Sequence, residues 1–272
     1  MNPCGVITFT SDFGLEDAYV GIVKGVILGI NPQARIVDIT HQIPHGSISD
    51  AAFVLQDACG FFPEGTVHLA VIDPGVGTVR RSLAIQTEHY SFVGPDNGLF
   101  WPIIERYSSS RMVSLEEKRY FHSEISDTFH GRDIFAPVAA HLSAGLALHL
   151  LGPKISNPTP LARPHPEIRN DRLLGRVIRV DHFGNLITNI DKKTLEGFLG
   201  NEEALIRIGK LQITGLGRIY EDAAPGGVIA LVGSAGLLEV AVCLGRADDL
   251  DGLKADESFS REVTITRSGL TA

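Results

Sequence analysis

The sequence predicts an α/β fold: an N-terminal α/β domain with a mainly parallel sheet between helices, then a smaller C-terminal antiparallel β-barrel domain. Two observations predict it. Through about residue 150, short β-branched runs alternate with segments whose apolar residues recur at helical spacing, the pattern of strands joined by crossover helices. Beyond a proline-rich stretch, short strands follow one another between glycine-rich turns. The expected boundaries are 1–160 for the first domain, 161–172 for a linker and 173–272 for the second domain.

GVITFTS opens the chain as a strand. DAYVGIVKGVILGI follows with Tyr19, Ile22, Val23, Val26, Ile27 and Ile30 at helical spacing; Gly21 and Gly25, four apart, are expected to pack closely against the sheet. RIVDIT (35–40) is a strand, and SISDAAFVLQDACGFF a helix capped by Ser47 or Ser49. TVHLAVID (66–73) is the most apolar strand and so a central one. SLAIQTE and YSFVGPD are strands, with a turn at Pro95–Gly98. LFWPIIERY and DIFAPVAAHLSAGL are helices, the second ending near Gly145. ISNPTPLARPHPEIRND has no periodicity and reads as the linker. After it GRVIRVD, NLITNI, ALIRIG, KLQITGL, GVIALVG, LLEVAVC and EVTITR read as strands, interrupted by one helix, KKTLEGFLG.

With 44% hydrophobic and 21% charged residues among 272, the chain has the composition of a soluble globular protein. A net charge of -8 argues against nucleic acid and an anionic membrane as partners, since both select clustered basic surface. Cys4, Cys59 and Cys243 form no CxxC pair and read as reduced thiols. No signal peptide or bilayer-spanning run is visible, so a cytoplasmic protein is expected.

Polar residues collect where strands end, the usual location of chemistry in α/β domains. Thr10–Gly14 ends the first strand, Asp73–Thr78 the central strand, and Thr128–Asp133 leads into a helix; Asp181–Asn185 is a fourth cluster, in the second domain. Each has a structural reading as well. Asp12 can cap a helix, His130 can be a satisfied structural histidine, and Asp181 with Asn185 can simply build a turn. GVGT lacks the third glycine of a dinucleotide fingerprint, since Arg80 stands there, and reads as a tight turn.

SDFG, VIDPGVGT with Arg80, PDNGL, TFHGRDIFAP and DHFGNLITNI resemble, in the same order, the motifs of the adenosine-forming S-adenosylmethionine hydrolases. These are also called S-adenosylmethionine hydroxide adenosyltransferases and are related to fluorinating and chlorinating enzymes. The resemblance runs from about residue 5 to about residue 242. It implies hydrolysis of S-adenosylmethionine to adenosine and methionine, with no cofactor and no metal. The water-activating residues it implies are Asp73, Arg80 and His130; Asp12 would grip the ribose, Asp181 and Asn185 the methionine end, and Ser234 a further substrate contact. It also implies a homotrimer with the site at the subunit interface. Two positions depart from the halogenating relatives: Ala235 stands where they have a carboxylate-binding Arg, and Gly46 where they have a tryptophan near the ribose. Those relatives also have an aromatic residue where this chain has Asp73.

The chemistry fits these residue types. A sulfonium leaves as a neutral thioether, so the reaction needs an aligned nucleophile and no general acid. A carboxylate such as Asp73 can take a proton from water, a cation such as Arg80 can stabilise developing hydroxide, and His130 can relay the proton. A carboxylate there would also repel a halide. Arg81, on the opposite side of an extended segment, is expected to be a solvated or interface charge. Two rival readings are a metal-dependent hydrolase using Asp12, Asp73, His130 and Asp133, and a non-catalytic S-adenosylmethionine or adenosine sensor.

Overall fold

A computed structural model describes residues 2–250, 253 and 261–268 of the chain, which divides into two compact units, Met1–Leu161 and Ala162–Ala272. In the first unit seven strands form one sheet: β1 (Val6–Ser11), β2 (Arg35–Thr40), β3 (Val67–Val71), β4 (Ser82–Gln86), β5 (Ser91–Pro95), β6 (Arg111–Ser114) and β7 (Lys154–Ile155). Their spatial order is β2-β1-β3-β5-β4-β6-β7. Strands β1, β2, β3, β5 and β6 run one way, β4 and β7 the other, so the sheet is mixed but mainly parallel. Every residue of β3 is buried, as its unbroken apolar run predicts for an interior strand.

Helices α1 (Tyr19–Ile30), α2 (Ile48–Ala58), α3 (Trp101–Arg106) and α4 (Ala136–Ser143) cover the sheet. Val23 and Ile27 of α1 join Val138 and Ala139 of α4 in a core with Ile7, Phe9 and Val93 on one face. Ala51 and Leu55 of α2 join Ile103 of α3 in a second core with Ile72, Ile85 and Phe92 on the other. A single π turn, Gly131–Phe135, runs directly into α4. The glycines of α1 differ from expectation. The helix buries Val20, Val23 and Ile27, which turns Gly21 and Gly25 outward, where an added Cβ would meet nothing within 4 Å. Tyr19, Ile22 and Leu28 share that exposure, at 46%, 41% and 43%. No helix among the described residues is long and apolar enough to cross a membrane.

The second unit is an antiparallel, nearly closed barrel. Its strands are β8 (Glu167–Arg169), β9 (Arg172–Val180), β10 (Leu186–Asp191), β11 (Ala204–Ile208), β12 (Leu211–Thr214), β13 (Val228–Val232), β14 (Leu237–Val242) and β15 (Glu262–Arg267). They pair in the order β12-β11-β15-β9-β10-β14-β13, with β8 beside β9, and a bridge from Gly217 to Leu231 brings the segment after β12 to β13. Strand β8 and the start of β9 occupy part of the stretch read as linker. The one α-helix among the described residues of this unit, α5 (Lys192–Leu199), begins at Asp191, whose carboxylate accepts the Thr194 N–H at 2.9 Å, an N-cap. Leu173, Val177, Ile190, Ile206, Val240 and Ile265 fill the interior, one from every second position of their strands.

Candidate active site

Parallel strands β1, β2 and β3 end on the same edge of the sheet, so the loops that follow them meet there. Asp12 follows β1 and is nearly buried; its Oδ2 accepts the Gly46 N–H at 2.9 Å and lies 3.4 Å from His45 Nδ1. Buried residues hold this corner. Ser11 Oγ and His41 Nδ1 are 2.7 Å apart, and the His41 carbonyl accepts the Gly14 N–H at 2.8 Å. Burial pushes the His41 pKa down, against the nearby Asp38, so its ring is a neutral hydrogen-bonding block.

Asp73 lies just beyond β3. The Arg80 guanidinium grips both of its oxygens: Nε donates to Oδ1 at 2.8 Å and Nη2 to Oδ2. Nη2 also meets His130 Nδ1 at 2.8 Å, and Nη1 donates to Ser82 Oγ at 2.9 Å. The Arg80 carbon Cζ sits 5.2 Å from the Phe135 ring centroid, a cation–π contact that helps keep the guanidinium flat against the helix. Arginine has donors only, so Nδ1 of His130 must be an acceptor and the ring proton must be on Nε2. Burial, then the Arg80 charge, push the His130 pKa below its ordinary value, while Asp73 pulls the other way. His130 is therefore neutral near pH 7.

The sharp turn between Asp73 and Arg80 depends on Gly77. Its φ is +76°, and a Cβ there would fall 2.4 Å from the Asp127 carbonyl oxygen. That contact seats the Asp73 loop on the segment that carries His130. Aromatic edges join the rest: Phe129 lies 5.9 Å from Phe13 and 5.3 Å from Tyr19, ring centre to ring centre. The three N-terminal clusters thus form one locale. Arg81 departs from expectation. Its Nε donates to the buried Asp96 at 2.8 Å and its Nη1 to Asn157 Oδ1 at 2.9 Å, so it ties down the segment after β7. Asp133 is committed as well: Arg132 donates to Oδ1 at 2.6 Å and the Ser126 N–H to Oδ2 at 2.9 Å. Both of its oxygens are thus already hydrogen-bonded, where the rival reading needed one for a metal.

In the second unit, Asp181 and Asn185 come together in the β9–β10 turn. Asp181 Oδ1 accepts the N–H groups of Phe183 and Asn185, and Oδ2 accepts Asn185 Nδ2, each at 2.9 Å. This is the turn-building geometry that the sequence alone also allowed. Ser234 is exposed in the turn between β13 and β14. Sequence reasoning passed over two neighbours, Tyr220 and Glu239, whose side chains are hydrogen-bonded at 2.5 Å. The available signal was an acid inside the apolar run LLEVAV.

An α/β unit with an Asp–Arg–His chain at its strand ends, followed by a β-barrel unit, defines a two-domain architecture with a polar site of enzyme type. Family models describe this architecture: the SAM hydroxide adenosyltransferase N-terminal domain matches residues 7–152 and the C-terminal domain residues 175–260. The chain belongs to the SAM hydroxide adenosyltransferase family. It is 39% identical over 256 residues to an (R)-S-adenosyl-L-methionine hydrolase of Salinispora tropica, covering 93% of this chain and 96% of that one. A fluorinase of Actinoplanes sp. is 31% identical over 218 residues, covering 70% and 73%. A crystal structure of an uncharacterized conserved protein from Thermotoga maritima superposes with a TM-score of 0.88 at 37% identity, covering 96% of this chain and all of that one.

Proposed function

We propose that this protein hydrolyses S-adenosyl-L-methionine to adenosine and L-methionine by attack of an activated water on the ribose C5′. The observation that carries this reading is the Arg80 guanidinium, which bridges the Asp73 carboxylate and His130 Nδ1. Membership of the family and the hydrolase from Salinispora tropica support it. The leaving thioether is neutral, so the enzyme's task is to supply and aim hydroxide. Each Asp73 oxygen keeps a lone pair beyond its bond to Arg80, and one of these takes the proton from water. Arg80, fixed on both sides, stabilises the developing hydroxide without reorganising. His130 donates from Nε2 and keeps the water in line. A carboxylate at position 73 repels fluoride and chloride, which favours hydrolysis over halogenation.

In this reading Asp12 holds the ribose hydroxyls, and Asp181, Asn185 and Ser234 act on the methionine end. The enzyme is a cytoplasmic homotrimer with its site at a subunit interface. The outward apolar face of α1 supports an oligomer, because exposed Tyr19, Ile22 and Leu28 form the kind of surface a neighbour covers. Turnover in water enriched in heavy oxygen should put the label in the 5′ hydroxyl of adenosine. Label found elsewhere, or no adenosine, would overturn the proposal. Subunit exchange between Asp12→Ala and Asp181→Ala proteins should regenerate activity if the site is shared.

A further inference from the structure

A cavity opens in the α/β unit at the edge of the sheet opposite the catalytic locale. Ser91 of β5 pairs with Val67 of β3 on one side and with Gln86 of β4 on the other, and Gln86 pairs with Arg111 of β6. Residues opposite one another in a sheet point to the same face, so these four side chains form one row across four strands. The row lies on the face where Val67 and Val113 share a core with α4. Lys154 of β7 stands opposite Val113, on that same face. Helix α4 ends at Ser143, and Gly145, with φ at +102°, turns the chain. Between the row and the segment 142–149 lies a cavity of about 340 Å³, with Pro3 and Gly65 closing another side. Val67 begins β3 and Asp73 follows its end, so roughly 20 Å of extended chain separates the cavity from the Asp73 carboxylate.

The lining is cationic in a chain whose net charge is -8. Arg111, Lys154 and His149 stand at the exposed rim, and no Asp or Glu among the described residues lines the cavity. Arg111 and Lys154 have no carboxylate partner among the described residues. Arg111 Nη2 donates to Gln86 Oε1 at 2.5 Å, which draws the guanidinium back along the row and leaves Nε and Nη1 for a ligand. Ser91, further in, is only 2% exposed, and its hydroxyl has no hydrogen-bond partner among the described residues. A buried hydroxyl left unpaired is costly, and an acceptor or donor on a ligand removes that cost. Val67, Val113, Leu142 and Leu148 make the remaining walls apolar. Cations at the rim, apolar walls and one inner polar group are the make-up of a small-molecule site.

The geometry points to a second binding site, for a small organic acid: a carboxylate on Arg111 and Lys154, an apolar body against Leu142 and Leu148, and a hydroxyl bonded to Ser91. The guanidinium and the Ser91 hydroxyl are one to two strand spacings apart, roughly 5–10 Å, the length of a ring with an acid at one end and a hydroxyl at the other. The apolar walls leave room for few further acceptors, which suits the two oxygens of a carboxylate. This site is separate from the catalytic locale and does not depend on the reaction proposed there.

Calorimetric titration of the whole chain with 4-hydroxyphenylacetate tests it, beside phenylacetate, which lacks the hydroxyl, 4-hydroxyphenylethanol, which lacks the charge, and inorganic phosphate, which lacks the body. The full probe should bind at one site per chain. Phenylacetate should bind about fivefold more weakly, and the neutral alcohol and inorganic phosphate about tenfold or more. Arg111→Gln and Lys154→Gln should each raise the Kd of 4-hydroxyphenylacetate about tenfold, and, because both side chains are exposed, melt at the wild-type temperature. Ser91→Ala should raise the Kd of 4-hydroxyphenylacetate about fivefold and leave that of phenylacetate unchanged, a selectivity that a loosened scaffold would not produce. Absence of binding to the wild-type chain would overturn the proposal. So would a Kd that none of the three substitutions moves, since the acid would then sit elsewhere, or inorganic phosphate binding as tightly as the organic acid, since the cavity would then play no part.

Discussion

Asp73→Asn tests the centre of the mechanism, and the structure sets its size. Asp73 and Arg80 side chains are 7% and 11% exposed and meet through two hydrogen bonds, so the pair is largely out of water. Asparagine can keep the acceptor opposite Nε, but its amide nitrogen then faces Nη2, donor against donor. One charge-assisted bond is lost, worth roughly 1.5–3 kcal/mol, and Arg80 keeps a charge without its counter-ion. The expected stability loss is about 2–4 kcal/mol, or about 5–15 °C in Tm for a unit of this size. Catalysis should suffer more than folding. With the proton acceptor gone, kcat should fall by roughly two to four orders of magnitude, while affinity for S-adenosylmethionine changes little. Chromatographic release of adenosine at saturating substrate measures kcat, and a thermal melt measures the stability term separately. Ser82→Ala is the matched control: it removes only the 2.9 Å bond to Arg80 Nη1 and should cost less than about tenfold. If Asp73→Asn melts early but retains kcat within tenfold, the carboxylate is a structural anchor for Arg80 and the role assigned to it is wrong.

Three further expectations follow from the same geometry. Asp12→Ala should weaken substrate binding strongly and leave turnover of bound substrate less affected, read as a KM rise in saturation kinetics; an unchanged KM would remove Asp12 from the ribose site. The depressed pKa of His130 means that protonation at Nδ1, which breaks the bond to Arg80, sets in only below 6.5. The midpoint of the acid limb of the kcat profile should therefore lie below 6.5, and a midpoint at or above 6.5 would contradict the depressed pKa. His68 is fully buried and pushed down to about 3, with Nδ1 held by Thr8 Oγ1 at 2.8 Å. Between 6.5 and about 3 the unfolded chain binds a proton that the folded chain refuses, so stability falls as pH falls through that window, by up to about 1.4 kcal/mol per pH unit. Urea melts across this range should show a shallower pH slope in His68→Asn; equal slopes would refute the assignment.

The helices α1 and α2 and the strands around them were legible because each carries enough apolar residues at one period to specify a face. Strand β6 has four residues and β7 two, too few for a period, and both went unseen. The outward turn of Gly21 and Gly25 was misread for a different reason. Helix α1 is apolar nearly all round, so spacing alone does not choose which stripe meets the sheet. The site residues could be named from motif order, but not joined. Asp73 and Arg80 are seven residues apart and Arg80 and His130 fifty, and it is the turn at Gly77, seated against Asp127 ahead of His130, that brings those distances to hydrogen-bond length. Glu239 was hidden by its setting, since one acid in an apolar strand looks like an ordinary outward residue until the neighbours on its face are known.

The π turn ahead of α4 has a consequence for how this locale tolerates change. Five residues, Gly131–Phe135, occupy a turn that an α-helix completes in fewer, so one residue is effectively inserted between His130 and the packed stripe of α4. An insertion of this kind offsets what lies before it by roughly 100° around the axis, the angle that one α-helical residue subtends. The imidazole's bearing and the core-facing stripe of α4 are thus set by independent parts of the same segment. Shortening the turn by one residue would leave Val138 and Ala139 seated in their core while swinging the ring away from Arg80. The protein would keep its fold and lose the bond between Arg80 and His130, and a lineage could silence the proposed chemistry here without first destabilising the scaffold.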